Sequence, residues 1–428
     1  MLHAISLYLT VALTVVTFQY RVFGIMYVRM WEFALIFCLI TWLGKIGLTK
    51  RINIRFDSLN IAITIFLLIN VFSSIRVPEH AGKFMQGGMW YNMRTIEPVL
   101  LYYIISDYLA ESKHLRPFMY CLLTVLVVQC SLGLAQALGG LQWPPTEILS
   151  SGEFVRGYFY YLTGYGNPSV SPAYGTFDHF NNFGMYLSIF VLPLASFVLY
   201  KTGLNRRLTL PVFALTVITL FLTYSRGSLL GAAIGIFVMV IIGIKGGLTR
   251  VALALVLFLM LVSVVAGSVA INRGYVDTLN LTPRIELWQE TLHVIFKDPL
   301  NFIFGTGSGT HLYWVQHESR GHLYSPHNTY LIFWLETGLL GLLSLLSVFG
   351  IYFMKVVKSY LANSKGDFDA IIFSMIGIVP CLLVEFMFEA TFVDLSTKAL
   401  IFTFMALGSK TCQARQSKYG IHPANMAG

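Results

Sequence analysis

The chain has 428 residues, of which 56% are hydrophobic and only 11% are Asp, Glu, Lys or Arg. A soluble domain carries roughly 25% charged residues, so an ordinary cytosolic globule is excluded. The formal net charge of +9 resembles that of a nucleic-acid binder, but basic residues also set the orientation of a polytopic membrane protein.

Apolar runs of spanning length lie at residues 4–20, 31–47, 58–75, 96–110, 118–139, 182–200, 209–224, 228–244, 251–271, 328–352, 370–388 and 396–409. A bilayer crossing needs about 20 such residues, so the fold class is an all-α polytopic membrane protein of about twelve transmembrane helices. Residues 1–428 read as one integral membrane domain. The first run has no basic flank before it and no small-residue cleavage site after it, so it reads as a retained span. The five cysteines show no paired spacing and imply neither a disulfide framework nor a zinc site.

An even number of spans puts both termini on one side, and basic residues mark that side as cytoplasmic. With cytoplasmic termini, 17 of the 29 basic residues fall on inner segments beside 5 of the 20 acidic ones, a net +12 there and −3 elsewhere. The charge excess is thus accounted for by insertion and implies no nucleic-acid partner. Residues 410–428 become a basic cytoplasmic tail.

Two outer loops, 140–181 and 272–327, are too long to be simple turns, and loops of this length are usually functional. The first carries Tyr158, Phe159, Tyr160, Tyr161, Tyr165, Tyr174 and Phe177. These rings suit either the lipid headgroup level or a platform for sugar rings. The second loop holds a helix start at Thr282 and Pro283, and Ile285, Trp288, Leu292, Ile295 and Phe296 then recur at helical spacing to Pro299. That pattern predicts an amphipathic helix on the outer surface. It runs into Phe304-Gly305-Thr306-Gly307-Ser308-Gly309, which lacks the βαβ frame of a dinucleotide fingerprint and suits tight backbone packing.

The remaining 12 basic and 15 acidic residues fall on outer segments or in the spans, and a few of them stand at positions that suggest chemistry. Arg226 stands at the short turn between two spans, where it is either a snorkelling anchor or a ligand for an anion. Arg284 occupies the first turn of the amphipathic helix, where the helix dipole disfavours a cation unless an anion joins it. His327 lies in Ser325-Pro326-His327-Asn328; Ser325 can cap and Pro326 can open the next helix, putting the imidazole in a first turn that keeps it neutral and able to accept a proton. His311, His317 and His322 raise a metal alternative, but their spacing fits no ligand pattern. Glu336, nine residues beyond His327, needs a partner within the membrane, as do Glu32, Glu385 and Glu389.

Four segments together resemble the O-antigen ligase and polymerase family of bacterial envelope glycosyltransferases. They are Gly175-Thr176-Phe177 through Asn181 to Leu187, Thr223-Tyr224-Ser225-Arg226-Gly227, Arg284 to Trp288 followed by Pro299 and Gly305-Thr306-Gly307, and Pro326-His327-Asn328-Thr329-Tyr330-Leu331 with Glu336-Thr337-Gly338-Leu339-Leu340-Gly341. The family often shows Asn-Pro-Asn after Gly-Thr-Phe; here Asp178-His179-Phe180-Asn181-Asn182 stands, so Asn181 or Asn182 is the corresponding residue.

The resemblance implies transfer of a glycan from undecaprenyl diphosphate to a hydroxyl acceptor at the periplasmic face of the bacterial inner membrane, inverting and without cofactor or metal. It implies His327 as catalytic base, Arg226 and Arg284 as diphosphate ligands, and Asn181, Asn182, Asn328 and Glu336 in support. A ligase with a lipid A core acceptor is the reading favoured over a polymerase whose acceptor is another lipid-linked repeat, or a protein-glycosylating relative. A polysaccharide or lipid transporter is the rival from another class. Transporters place their binding groups near the midplane of internal repeats, whereas these polar residues gather at one outer face.

Overall fold

The computed structural model describes residues 2–17, 19–22, 26–54, 57–77, 82–141, 172–200, 204–243, 282–311, 325–362 and 369–419. Helices make up nearly all of it: α1 (Leu2–Leu13), α2 (Met30–Thr49), α3 (Ser58–Ser73), α4 (Gly82–Tyr108), α5 (Leu115–Gly139), α6 (Phe180–Tyr200), α7 (Arg206–Leu222), α8 (Arg226–Gly243), α9 (Thr282–Phe296), α10 (Pro299–Phe304), α11 (Thr329–Leu361), α12 (Asp369–Phe388) and α13 (Leu395–Tyr419). Strands β1 (Gln19–Val22) and β2 (Met26–Arg29) form a small antiparallel hairpin between α1 and α2.

Among the described residues, seven helices are long and apolar enough to cross a membrane, and α1 and α7 are shorter apolar helices. The chain is an all-α polytopic membrane protein. The less apolar α4 and α13 coincide with two more of the expected runs, and run 251–271 lies outside the described residues. Lipid-facing stripes show directly: α3 buries Leu59, Ile63, Phe66 and Asn70 and exposes Ile61, Ile65, Leu68 and Phe72 on its opposite face, an arrangement untenable in water.

The run expected at 4–20 is a helix only to Leu13. The β-branched Thr14, Val15, Val16 and Thr17 that follow favour an extended chain, and they pair with Thr176: the Thr176 hydroxyl donates to the Val15 carbonyl at 2.6 Å and the Thr17 hydroxyl to the Thr176 carbonyl at 2.9 Å. Residues 410–419, expected in a tail, continue α13, with Cys412 and Arg415 buried.

Irregular backbone inside a bilayer must find protein partners, because each unsatisfied group costs several kcal/mol. Two places meet this demand. The Gly175-Thr176-Phe177 segment lies against α5, where Gln136 accepts from the Tyr174 and Gly175 amides at 3.0 and 2.7 Å and donates to the Gly175 carbonyl at 2.7 Å. Gln129 accepts from the Thr176 amide at 3.0 Å and donates to its hydroxyl at 2.8 Å. Tyr174 and Phe177 are therefore buried core rings, neither at the headgroups nor free to stack on sugars. The other aromatics of that loop lie outside the described residues.

The second place is α11, which breaks at Gly338 (φ 70°, ψ −176°). The break strands the Leu335 and Glu336 carbonyls, and the glycine-rich turn after α10 supplies the missing donors. Thr306 N–H reaches Leu335 O at 2.7 Å, Gly307 N–H reaches Glu336 O at 3.0 Å, and Ser73 Oγ of α3 reaches Glu336 O at 2.7 Å. Gly305 and Gly338 face one another so closely that a Cβ on Gly305 would collide with the Glu336 carbonyl and one on Gly338 with that of Ile303. The turn is used for tight backbone packing, as its composition suggests.

Candidate functional site

The site lies where α12 ends. The last carbonyls of a helix have no intrahelical donors, and α9 and the segment that opens α11 bring donors to this terminus. Tyr330 Oη donates to Leu383 O at 2.6 Å, Arg284 Nη1 to Phe388 O at 2.9 Å, and Thr329 Oγ1 to Glu389 O at 2.8 Å. The residues next to His327 and Arg284 in the sequence thus fasten α11 and α9 to one helix terminus. Trp288 completes the fastening, its indole N–H donating to Pro326 O at 2.7 Å.

Glu389 is the centre of the arrangement. Its Oε2 accepts from His327 Nδ1 at 2.9 Å, and its Oε1 accepts from Asn181 Nδ2 at 2.6 Å and from Arg284 Nη2 at 3.1 Å. Burial raises the cost of its charge, but the His327 hydrogen bond and the fields of His327, His179 and Arg284 outweigh that cost and hold the carboxyl below its usual range. Its side chain is 12% exposed against 28% for His327 and 34% for Arg284, so the carboxylate forms the floor and the imidazole and guanidinium reach the more open side. Arg284 spends two of its N–H donors on α12, leaving three of a guanidinium's five.

The structure brings His327, Arg284 and Asn181 together through Glu389. Arg226 opens α8 and is exposed. Its neighbour Gly227 packs on Phe388, where an added Cβ would lie 3.3 Å from the Phe388 Cβ, so the start of α8 borders the same α12 terminus. The short turn before it holds Tyr224 in left-handed backbone (φ 57°).

Other sequence expectations fall elsewhere. Asn328, rather than Ser325, caps α11, its side chain accepting from Leu331 N–H at 3.1 Å. The helix consequently starts at Thr329, and His327 sits before the cap with φ 47° instead of inside the first turn. An asparagine cap outcompetes the serine because the Ser325 hydroxyl is taken by the His327 amide, at 3.4 Å. Asn182 donates to Asp178 at 3.0 Å and not to the site. Glu336 pairs with His311, Nδ1 to Oε1 at 2.5 Å, both buried. About 13 Å of helix separates Glu336 from His327, so it belongs to the break in α11. Among the described residues no group of three His, Cys, Asp or Glu side chains is placed to hold a metal ion, and His317 and His322 lie outside them.

The α9 helix is amphipathic as expected, though its buried face is Leu287, Thr291, Val294 and Ile295, while Ile285 and Phe296 are exposed. Val294 and Ile295 pack with Leu335 of α11.

Sequence reasoning missed His179, which stands where the family pattern departs. Its Nδ1 accepts the Asn181 amide at 2.9 Å and its ring stacks on Phe180 with centroids 4.3 Å apart. Burial, aided by His327 and Arg284 and opposed by Glu389, pushes its pKa down to about 4, so the ring is neutral at physiological pH. Beside it lies a second buried charge group. Asp394 pairs with Arg29 at 2.8 Å and is held below the usual range by that cation and the Thr397 amide against the cost of burial. Burial and Asp394 raise Asp178.

No protein of curated function matches the chain. Residues 211–346, from α7 through the break in α11, match the family model described as O-antigen ligase.

Proposed function

We propose that the protein is a glycosyltransferase that moves a glycan from undecaprenyl diphosphate to a hydroxyl acceptor at the periplasmic face, acting as an O-antigen ligase on the lipid A core. The observation that carries this reading is the shared carboxylate: an imidazole and a guanidinium meet on Glu389, each partly exposed on its far side. An ionised carboxylate only accepts hydrogen bonds, so His327 Nδ1 carries a proton and, in the neutral ring, Nε2 holds a lone pair. That nitrogen takes the proton of the acceptor hydroxyl as its oxygen attacks the anomeric carbon. The bond to the diphosphate breaks on the opposite face, giving inversion, and the negative charge gathering on the departing phosphate is met by the remaining donors of Arg284 and by Arg226.

The exposed apolar side of α9, with Ile285 and Phe296 and then Leu300 and Ile303 of α10, suits an element lying against lipid beside a lipid-borne donor. Expression of the gene in a bacterial strain lacking its own ligase, followed by a lipopolysaccharide gel, tests the proposal. Restored long ladders are expected. Extension of single-repeat bands in a polymerase-deficient strain, without ladders in the first, would replace ligase with polymerase; rescue of neither would overturn glycosyl transfer.

A further inference from the structure

Glu389 lies beyond the residues that match the family model, yet three segments converge on it. Asn181 and Arg284 fix one oxygen, His327 occupies the other, and Thr329 holds its carbonyl. The carboxylate therefore cannot rotate without breaking a bond at each end. His327 is equally constrained, since its left-handed backbone sits between Pro326, held by Trp288, and Asn328, which caps α11.

We infer that Glu389 is the positioning residue of His327, locking the imidazole in the Nδ1–H tautomer that leaves Nε2 free to accept a proton, and stabilising the imidazolium that results. This rests on the reading of His327 as the base. The tautomer argument has a sharp chemical form in Glu389→Gln. A glutamine can turn its carbonyl oxygen to Asn181 and Arg284, which only donate to it. Its NH2 then faces His327 Nδ1, which must become the acceptor, and the ring proton moves to Nε2, where the base needs its lone pair. The bundle contacts survive and the chemistry does not. Replacing the carboxylate that orients a catalytic histidine by its amide lowers turnover by about 10⁴-fold in serine proteases.

The other charged or titratable groups around the pair are Arg284 on α9, His179 ahead of α6 and Glu385 one turn deeper on α12. Removing the Glu389 charge leaves an imidazolium at His327 without its counter-charge.

The test has two readouts on purified full-length protein in detergent. The first is the rate of transfer from a lipid-linked glycan to acceptor. For Glu389→Gln a fall in kcat of about 10²- to 10⁴-fold is expected with KM for the donor nearly unchanged, and Glu389→Asp, which keeps the charge, should recover at least about tenfold of it. The second is the rate of diethyl pyrocarbonate labelling of His327 at one fixed pH, read on its peptide by mass spectrometry, which needs no catalysis. The reagent attacks a ring nitrogen that holds a lone pair, so labelling should slow about tenfold or more in Glu389→Gln, where the outward nitrogen carries the proton, and stay unchanged in Asp57→Asn at the far end of the bundle. An unchanged labelling rate in a folded Glu389→Gln protein, or an aspartate variant no better than the glutamine one, overturns the inference. Should the wild-type protein transfer no glycan, the functional reading fails alone, because the labelling rate still reports the coupling between Glu389 and His327.

Discussion

The two ends of α12 manage charge in opposite ways. At its start, acids and bases meet one to one: Asp369 with Arg415 at 3.1 Å, Asp57 with Lys355 at 2.5 Å, and nearby Asp107 with Lys45 at 2.8 Å. A hydroxyl and an indole add to two of these pairs, Ser409 on Lys355 and Trp42 on Asp107. At its finish one carboxylate serves an imidazole, a guanidinium and an amide. In the first arrangement each charge is matched by a single opposite charge. The second leaves Arg284 with uncommitted donors on its more exposed side, which suits an anionic ligand.

The largest expected break in this contrast is His327→Ala. Loss of a general base costs about 10²- to 10⁴-fold, so lipopolysaccharide ladders should vanish while the protein inserts and elutes as the wild type does; full activity would exclude the proposed base. Arg284→Ala comes next, with a fall of about 10²- to 10³-fold. Arg284→Lys should restore only part of it, since an ammonium keeps the charge but cannot span Phe388, Glu389 and a phosphate together; transfer kinetics on both variants decide the matter. Gly338→Ala should act on folding instead, since left-handed backbone alone costs about 1–2 kcal/mol for a residue with a Cβ, before any collision. Lower thermal stability and abundance are expected. Lys355→Gln, in one of the one-to-one pairs, should cost about 1 kcal/mol or less and leave transfer unchanged.

The smallest effect is one of pH. Glu389 and Asp57 both have native pKa values depressed below their ordinary 4.5 and 3.8, because their cationic partners and donated hydrogen bonds outweigh burial. Each contributes stability that is complete above those ordinary values and is lost as pH falls through the lower native ones. His179, whose native pKa is about 4 against an ordinary 6.5, loses stability across that interval too. The melting temperature in detergent should therefore decline as pH falls below about 6.5 and more steeply below about 4.5, with a shallower lower limb in Glu389→Gln. A slope indifferent to the substitution would mean that the carboxylate titrates alike folded and unfolded.

Much of this was legible in the sequence because hydrophobic length and helix-start patterns are local signals. The polytopic class, the amphipathic helix near Arg284 and the prominence of His327 all follow from such signals. Glu389 was visible only as a carboxylate in need of a partner: four residues from Glu385 at the end of an apolar run, it has no neighbour in the sequence that announces its role. Its partners come from positions 181, 284 and 327, a convergence that only tertiary packing creates. Glu336 misled for the mirror-image reason. It shares a motif with His327 by sequence, but helical rise carries it a long way from the site, to His311. Asn328 was credited with chemistry when its amide oxygen was already engaged in stopping the helix.

The crossing of Gly305 and Gly338 bears on how mutational screens of such a protein should be read. A survey scored by activity would rank both glycines beside His327 as indispensable, although neither has a side chain with which to touch a substrate. Each position forbids a side chain because the other strand's backbone occupies that space, so replacing one cannot be offset by altering the other. Scoring abundance together with activity would separate them, the glycine variants disappearing from the membrane and the His327 variants remaining there inert.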